Sequence, residues 1–147
     1  MIEPLQEFEP HLKAICRSRP AKYFIAAAGR RSGSARLNVH PDLYGSSLFK
    51  EVEGAEVDGF EREVPMATLD ELVGHEVCAP ILFKIDAQGA EIEILEGARE
   101  VLGRIEVVVL EALFYAAIIG APQIARQIAY MDTHGFAVYD FINPTVR

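Results

Sequence analysis

The 147 residues are enough for one α/β domain with a sizeable core and too few for two ordinary ones. Hydrophobic residues make up 50% and charged residues 24%, which excludes a disordered or collagen-like chain. A net charge of -8 argues against nucleic acid as a ligand, because backbone phosphates are bound by basic surface that displaces counterions.

The first ten residues carry Glu3, Glu7 and Glu9 and no basic residue, unlike a secretory signal. The most apolar stretch, 105–120, is interrupted by Glu106 and Glu111, so no membrane span is expected. Cys16 and Cys78 lack a CxxC partner and read as free thiols of a reducing compartment, with the cytoplasm as the expected location.

In chain order, Leu5, Phe8, Leu12, Ile15 and Cys16 recur at helical spacing and predict a helix over 4–18, with Pro4 tolerated in its first turn and Pro10 weakening its first half. Strands are expected over 22–28 and 35–40. Residues 41–60 hold no period, and 51–63 gather six acids against Arg62, which suggests an exposed excursion. Thr68-Leu69-Asp70-Glu71 is a capping box for a short helix that Gly74 ends. The apolar runs 81–85 and 107–110 read as parallel strands buried on both faces. Between them Ile94, Leu95, Ala98, Val101 and Leu102 form one stripe, so 90–102 is expected to be a crossover helix despite Gly97, completing a βαβ unit. A second helix starts at Pro122, faces inward through Ile124, Ile128 and Met131, stops at Gly135 and leads into a strand over 136–141.

Ligands of open α/β sheets bind beyond the carboxyl ends of strands, which singles out Asp86 and Glu111. Asp86 reads equally as a cap for the following helix. Lys84, inside an apolar strand, is costly unless paired, and Asp86 on the same strand face is its candidate partner, structural or functional. Of the acids on the crossover helix only Glu91, in the first turn, could reach the strand ends. His11, His40, His75 and His134 share no ligand spacing, so no metal site is expected. No GxSxG, Walker or paired CxxC motif occurs.

The run Lys84-Ile85-Asp86-Ala87-Gln88-Gly89-Ala90-Glu91-Ile92-Glu93-Ile94-Leu95-Glu96-Gly97-Ala98 resembles the FkbM family of S-adenosylmethionine-dependent methyltransferases, whose signature reads roughly KIDVEGxExxVLxG. Val64-Pro65-Met66-Ala67-Thr68-Leu69-Asp70 is similar to the family's segment leading to that strand, and Val107-Val108-Val109-Leu110-Glu111 to the strand that follows. Ser46-Ser47-Leu48 is a weaker echo. The family has glutamate where Gln88 stands.

The resemblance implies a single methyltransferase domain over 1–147. Its Rossmann-like sheet would be partial and mostly parallel, flanked by helices, with a C-terminal antiparallel strand. In the implied order 3-2-1-4-5-7-6 the chain begins at the end of strand 2, without strand 1 and its glycine-rich loop, so these residues alone are expected to bind the cofactor weakly. Glu3, Ala27, Ala28, Gly29 and Asp86 are the implied S-adenosylmethionine contacts, with Glu3 on the ribose. Asp86 is the candidate base or acceptor-positioning group, with Lys84 and Glu91 as further catalytic candidates. The implied reaction is O-methylation of a small metabolite or sugar; the competing reading is a catalytically inactive α/β module derived from such an enzyme. The oligomeric state is left open.

Overall fold

The computed structural model describes residues 1–52, 54 and 59–142. Strand β1 (Ile2–Glu3) pairs in parallel with β2 (Phe24–Ile25), and the chain between them forms a 3-10 turn (Gln6–Phe8) and helix α1 (Glu9–Ser18). Pro10 falls in the first turn of α1, where the missing N–H has no helical acceptor to lose. The helix expected over 4–18 is therefore two pieces.

The strand expected over 22–28 is also divided. After Ala26 the chain leaves β2, and β3 (Ala27–Ala28) pairs in parallel with the end of β5 (Phe60–Ala67). Strand β5 lies between β3 and β4 (Gly33–Val39) and runs antiparallel to β4 along its whole length. Val64 and Met66 point inward while Glu61, Glu63 and Pro65 face out, the period of a strand covered on one side. The excursion expected over 41–60 is less exposed than its composition suggests: Ser47 is buried and bridges Asn38, and Glu51 bridges Ile118. Part of its acidic run, residue 53 and residues 55–58, lies outside the described residues.

Thr68 caps α2 (Leu69–Val73) through the full capping box, and Gly74 ends it. Strands β6 (Leu82–Ile85) and β7 (Val107–Leu110) are parallel neighbours in register from Leu82↔Val107 to Ile85↔Leu110. The connection between them is not one helix but two, α3 (Glu91–Glu96) and α4 (Arg99–Leu102). Gly97 is pressed against the turn after β3, where a Cβ would collide with the carbonyl oxygen of Gly29. Asp70 then restarts the helix, its carboxylate accepting from Glu100 N and Val101 N at 3.0–3.2 Å, while its own N–H donates to Gly97 O.

Three further expectations are corrected. The β6–β7 pair is not buried on both faces, since Leu82 is 66% and Val107 49% exposed. Helix α5 (Ile124–Thr133) turns Gln127 and Met131 inward rather than Ile128, which is exposed. Residues 136–141 form no strand; Val138, Tyr139 and Phe141 are exposed, so no sheet edge receives their alternating apolar side chains. The antiparallel strand of this fold is β4.

The result is a mixed α/β fold in three sheets, two of them parallel pairs, flanked by helices. One core cluster, including Ile85, Ala90, Ile94, Leu95 and Val101, packs beneath β6–β7 and touches Ile2 and Ala28; a second joins Leu5 to Leu37, Val39, Val64 and Met66. The continuous order 3-2-1-4-5-7-6 is not observed among the described residues, because β1–β2 and β6–β7 share this core without backbone bonds between them. No described helix is long and apolar enough to cross a membrane.

Candidate functional site

A cleft of about 1140 Å³ separates the two parallel pairs. Glu3, Ala27 and Ala28 line one wall, Lys84, Asp86, Gln88 and Glu111 the other, and His40, Asp42 and Tyr44 its rim.

The second wall is built by the parallel ladder, which delivers Asp86 and Glu111 side by side just beyond Ile85 and Leu110. Gln88 joins them: its Nε2 donates to Glu111 Oε2 at 2.8 Å and to Asp86 Oδ1 at 3.4 Å. Lys84 Nζ donates to Asp86 Oδ2 at 2.7 Å. The lysine is not buried as its place in an apolar strand suggested; its side chain is 61% exposed on the open face of the sheet. Hydrogen bonding with the Glu111 carboxyl, and then with Lys84 and Gln88, holds Asp86 below the usual carboxylate range against the opposing effect of partial burial. Gln88 adopts a left-handed conformation (φ 47°), and its carbonyl accepts from Ser47 Oγ at 2.6 Å, which ties the turn to the loop after β4.

Glu91 does not reach the cleft. Its carboxylate is 1% exposed beneath the turn, where Oε1 accepts from Ala87 N at 3.2 Å and Gly89 N at 3.1 Å, and Oε2 from Gln127 Nε2 at 3.3 Å. Burial raises its pKa despite these bonds. Gln127 Nε2 also donates to Glu111 O at 3.4 Å, so Glu91 anchors the turn to α5 and to the end of β7. The helical spacing assigned Glu91 to the first turn correctly but could not give the direction of its side chain.

On the facing wall, Glu3 Oε1 accepts from Leu5 N at 2.8 Å, and desolvation raises the pKa of this half-buried carboxyl. Gly29 is not part of the cleft. Its carbonyl lies against Gly97, and a Cβ on Gly29 would lie 2.6 Å from Met66 Sδ, so the turn after β3 faces the core. The structure thus brings Glu3, Ala27, Ala28, Lys84 and Asp86 to one cleft and leaves Glu91 and Gly29 outside it. Sequence reasoning missed the His40–Asp42 pair, which carries no ligand spacing; the HPD step after an apolar strand was its only signal. Among the described residues no group of three or more His, Cys, Asp or Glu could hold a metal ion.

Strand-end acids facing a cleft occupy the place where open α/β folds take their ligands. The family model described as the methyltransferase FkbM domain matches residues 1–138, and the chain belongs to that family. No curated protein and no solved structure matches the chain.

Proposed function

We propose that the protein is an S-adenosylmethionine-dependent O-methyltransferase acting on a hydroxyl of a small metabolite or sugar. The observation that carries this reading is the Asp86–Gln88–Glu111 cluster at the carboxyl ends of two parallel strands, facing Glu3 across one cleft. Acidic groups on both walls suit a cationic ligand, and the alanines at 27 and 28 leave room for a flat base. Glu3 would hold the ribose hydroxyls, and Lys84 and Asp86 the charged amino-acid end. When bound, the donor supplies an electrophilic methyl group on a sulfonium.

The protein's own residues then align the acceptor and manage its proton, because methyl transfer is an in-line displacement that depends on positioning. Asp86, anionic at neutral pH, positions the hydroxyl, and Gln88 fixes the carboxylate pair. The acidic balance fits a small-molecule acceptor rather than nucleic acid, and the free thiols fit a cytoplasmic enzyme. A single domain over 1–147 remains the organisation we propose.

One observation favours the inactive-module reading. The amides of Ala87 and Gly89 at the strand-end turn are already taken by Glu91, so that turn offers neither of them to the donor's carboxylate. Incubation with methyl-labelled S-adenosylmethionine and a panel of monosaccharides separates the two. The methyltransferase labels an acceptor, and Asp86→Asn loses about a hundredfold or more in turnover, far more than it loses in donor affinity. Failure of the wild-type chain to label any acceptor favours the inactive module.

A further inference from the structure

We infer that His40, oriented by Asp42, is a general base on the rim of the cleft and takes the proton of the acceptor hydroxyl; the substrate half of this inference rests on the methyltransferase reading above. His40 Nδ1 lies 2.6 Å from Asp42 Oδ1, and that oxygen also accepts from Gly45 N at 3.0 Å, which fixes the carboxylate. The residue is held at two more points: the His40 main-chain N–H donates to Ser46 Oγ at 3.0 Å, and the ring packs on Gly45, where a Cβ would lie 3.0 Å from His40 Cγ. Nδ1 also lies 3.2 Å from Asp42 N, but the 2.6 Å approach to a carboxylate oxygen needs a proton between the two atoms, so we assign Nδ1 as the donor to Asp42 rather than the acceptor of its N–H. Nε2 then carries the lone pair and has no hydrogen-bond partner among the described residues. The side chain is 21% exposed, and both members of the pair line the cleft.

The loop that carries the pair is anchored to the strand-end cluster. Asn38 and Ser47 exchange backbone bonds, and Ser47 Oγ donates to Gln88 O, so the dyad and Asp86 belong to one connected wall and rim. In the step itself the hydroxyl oxygen forms its bond to the methyl carbon as its proton passes to His40 Nε2. The S–C bond of the sulfonium breaks with its electron pair going to sulfur, leaving a thioether. Asp42 stabilises the imidazolium until it releases the proton to water.

His11 lines the same cleft without a hydrogen-bonded carboxylate and is the internal control. Carbethoxylation of the full chain by diethyl pyrocarbonate, mapped by peptide mass, is expected to modify His40 several times faster than His11. Asp42→Asn should abolish the difference and leave His11 unchanged. Equal rates at the two histidines, or a His40 rate indifferent to Asp42→Asn, overturn the dyad. In the labelled-methyl assay with monosaccharides, His40→Gln should lower kcat by about a hundredfold with the donor KM unchanged; an unimpaired variant overturns the assignment. Enhanced His40 reactivity in a chain that transfers no methyl group supports the dyad as a base and overturns the methyltransferase reading instead.

Discussion

Replacement of Glu91 separates its shape from its charge. In Glu91→Ala, Ala87 N, Gly89 N and Gln127 Nε2 each lose an acceptor in a site that is 1% exposed. An unsatisfied buried donor costs about 1–3 kcal/mol, and partial relaxation of the turn brings the expected total to about 3–5 kcal/mol. Glu91→Gln retains an oxygen for both backbone amides and mispairs only with Gln127, whose Oε1 is already without a partner among the described residues. Its cost should be about 1–2 kcal/mol. The two variants also differ in pH dependence. Burial raises the Glu91 pKa above 4.5, so the folded state holds the proton more tightly than the unfolded chain. The wild type therefore loses stability as pH rises from the unfolded value through the folded one. Glu91→Gln has no such titration, so its deficit should be widest below pH 4.5 and shrink above the folded pKa. Urea denaturation at a series of pH values measures both quantities. A glutamine variant as unstable as the alanine variant, or a deficit that widens with rising pH, would refute this account of the turn.

Gly97→Ala should destabilise by about 2–4 kcal/mol, because its Cβ collides with the backbone of Gly29; a raised Tm in calorimetry would contradict it. Asp70→Ala removes the acceptor for Glu100 N and Val101 N and should cost about 1–2 kcal/mol, with faster amide exchange confined to α4 and its flanks. Leu82→Ser lies on the uncovered face of β6 and should change stability by less than about 1 kcal/mol; a loss as large as a core substitution would mean that this face is covered in solution.

The sequence made legible what depends on local chemistry. The capping box at Thr68 and the parallel pair ending at Asp86 and Glu111 were both readable, because side-chain caps and β-branched runs act through near neighbours. The break at Gly97 was not, since it is set by Gly29 and Asp70, distant in sequence. Strand β5 was hidden by Glu61, Glu63 and Pro65, whose outward positions become visible only when β4 pairs alongside. At the site, position on the strand located Asp86 and Glu111. The inward turn of Glu91, the outward Lys84 and the His40–Asp42 pair depend on which face the tertiary packing covers.

The most direct test of the central claim is an NMR titration of the isotopically labelled chain with S-adenosylhomocysteine, the product that keeps the donor's nucleoside and amino-acid ends. Weak, fast-exchanging binding is expected, because Glu91 already holds the amides of Ala87 and Gly89. Shift changes should be concentrated at Glu3, Ala27, Ala28, Asp86, Gln88 and Glu111, and Glu3→Gln should weaken them. No perturbation at millimolar ligand, or perturbations lying outside this cleft, would contradict the assignment of the cleft as the methyl-donor site.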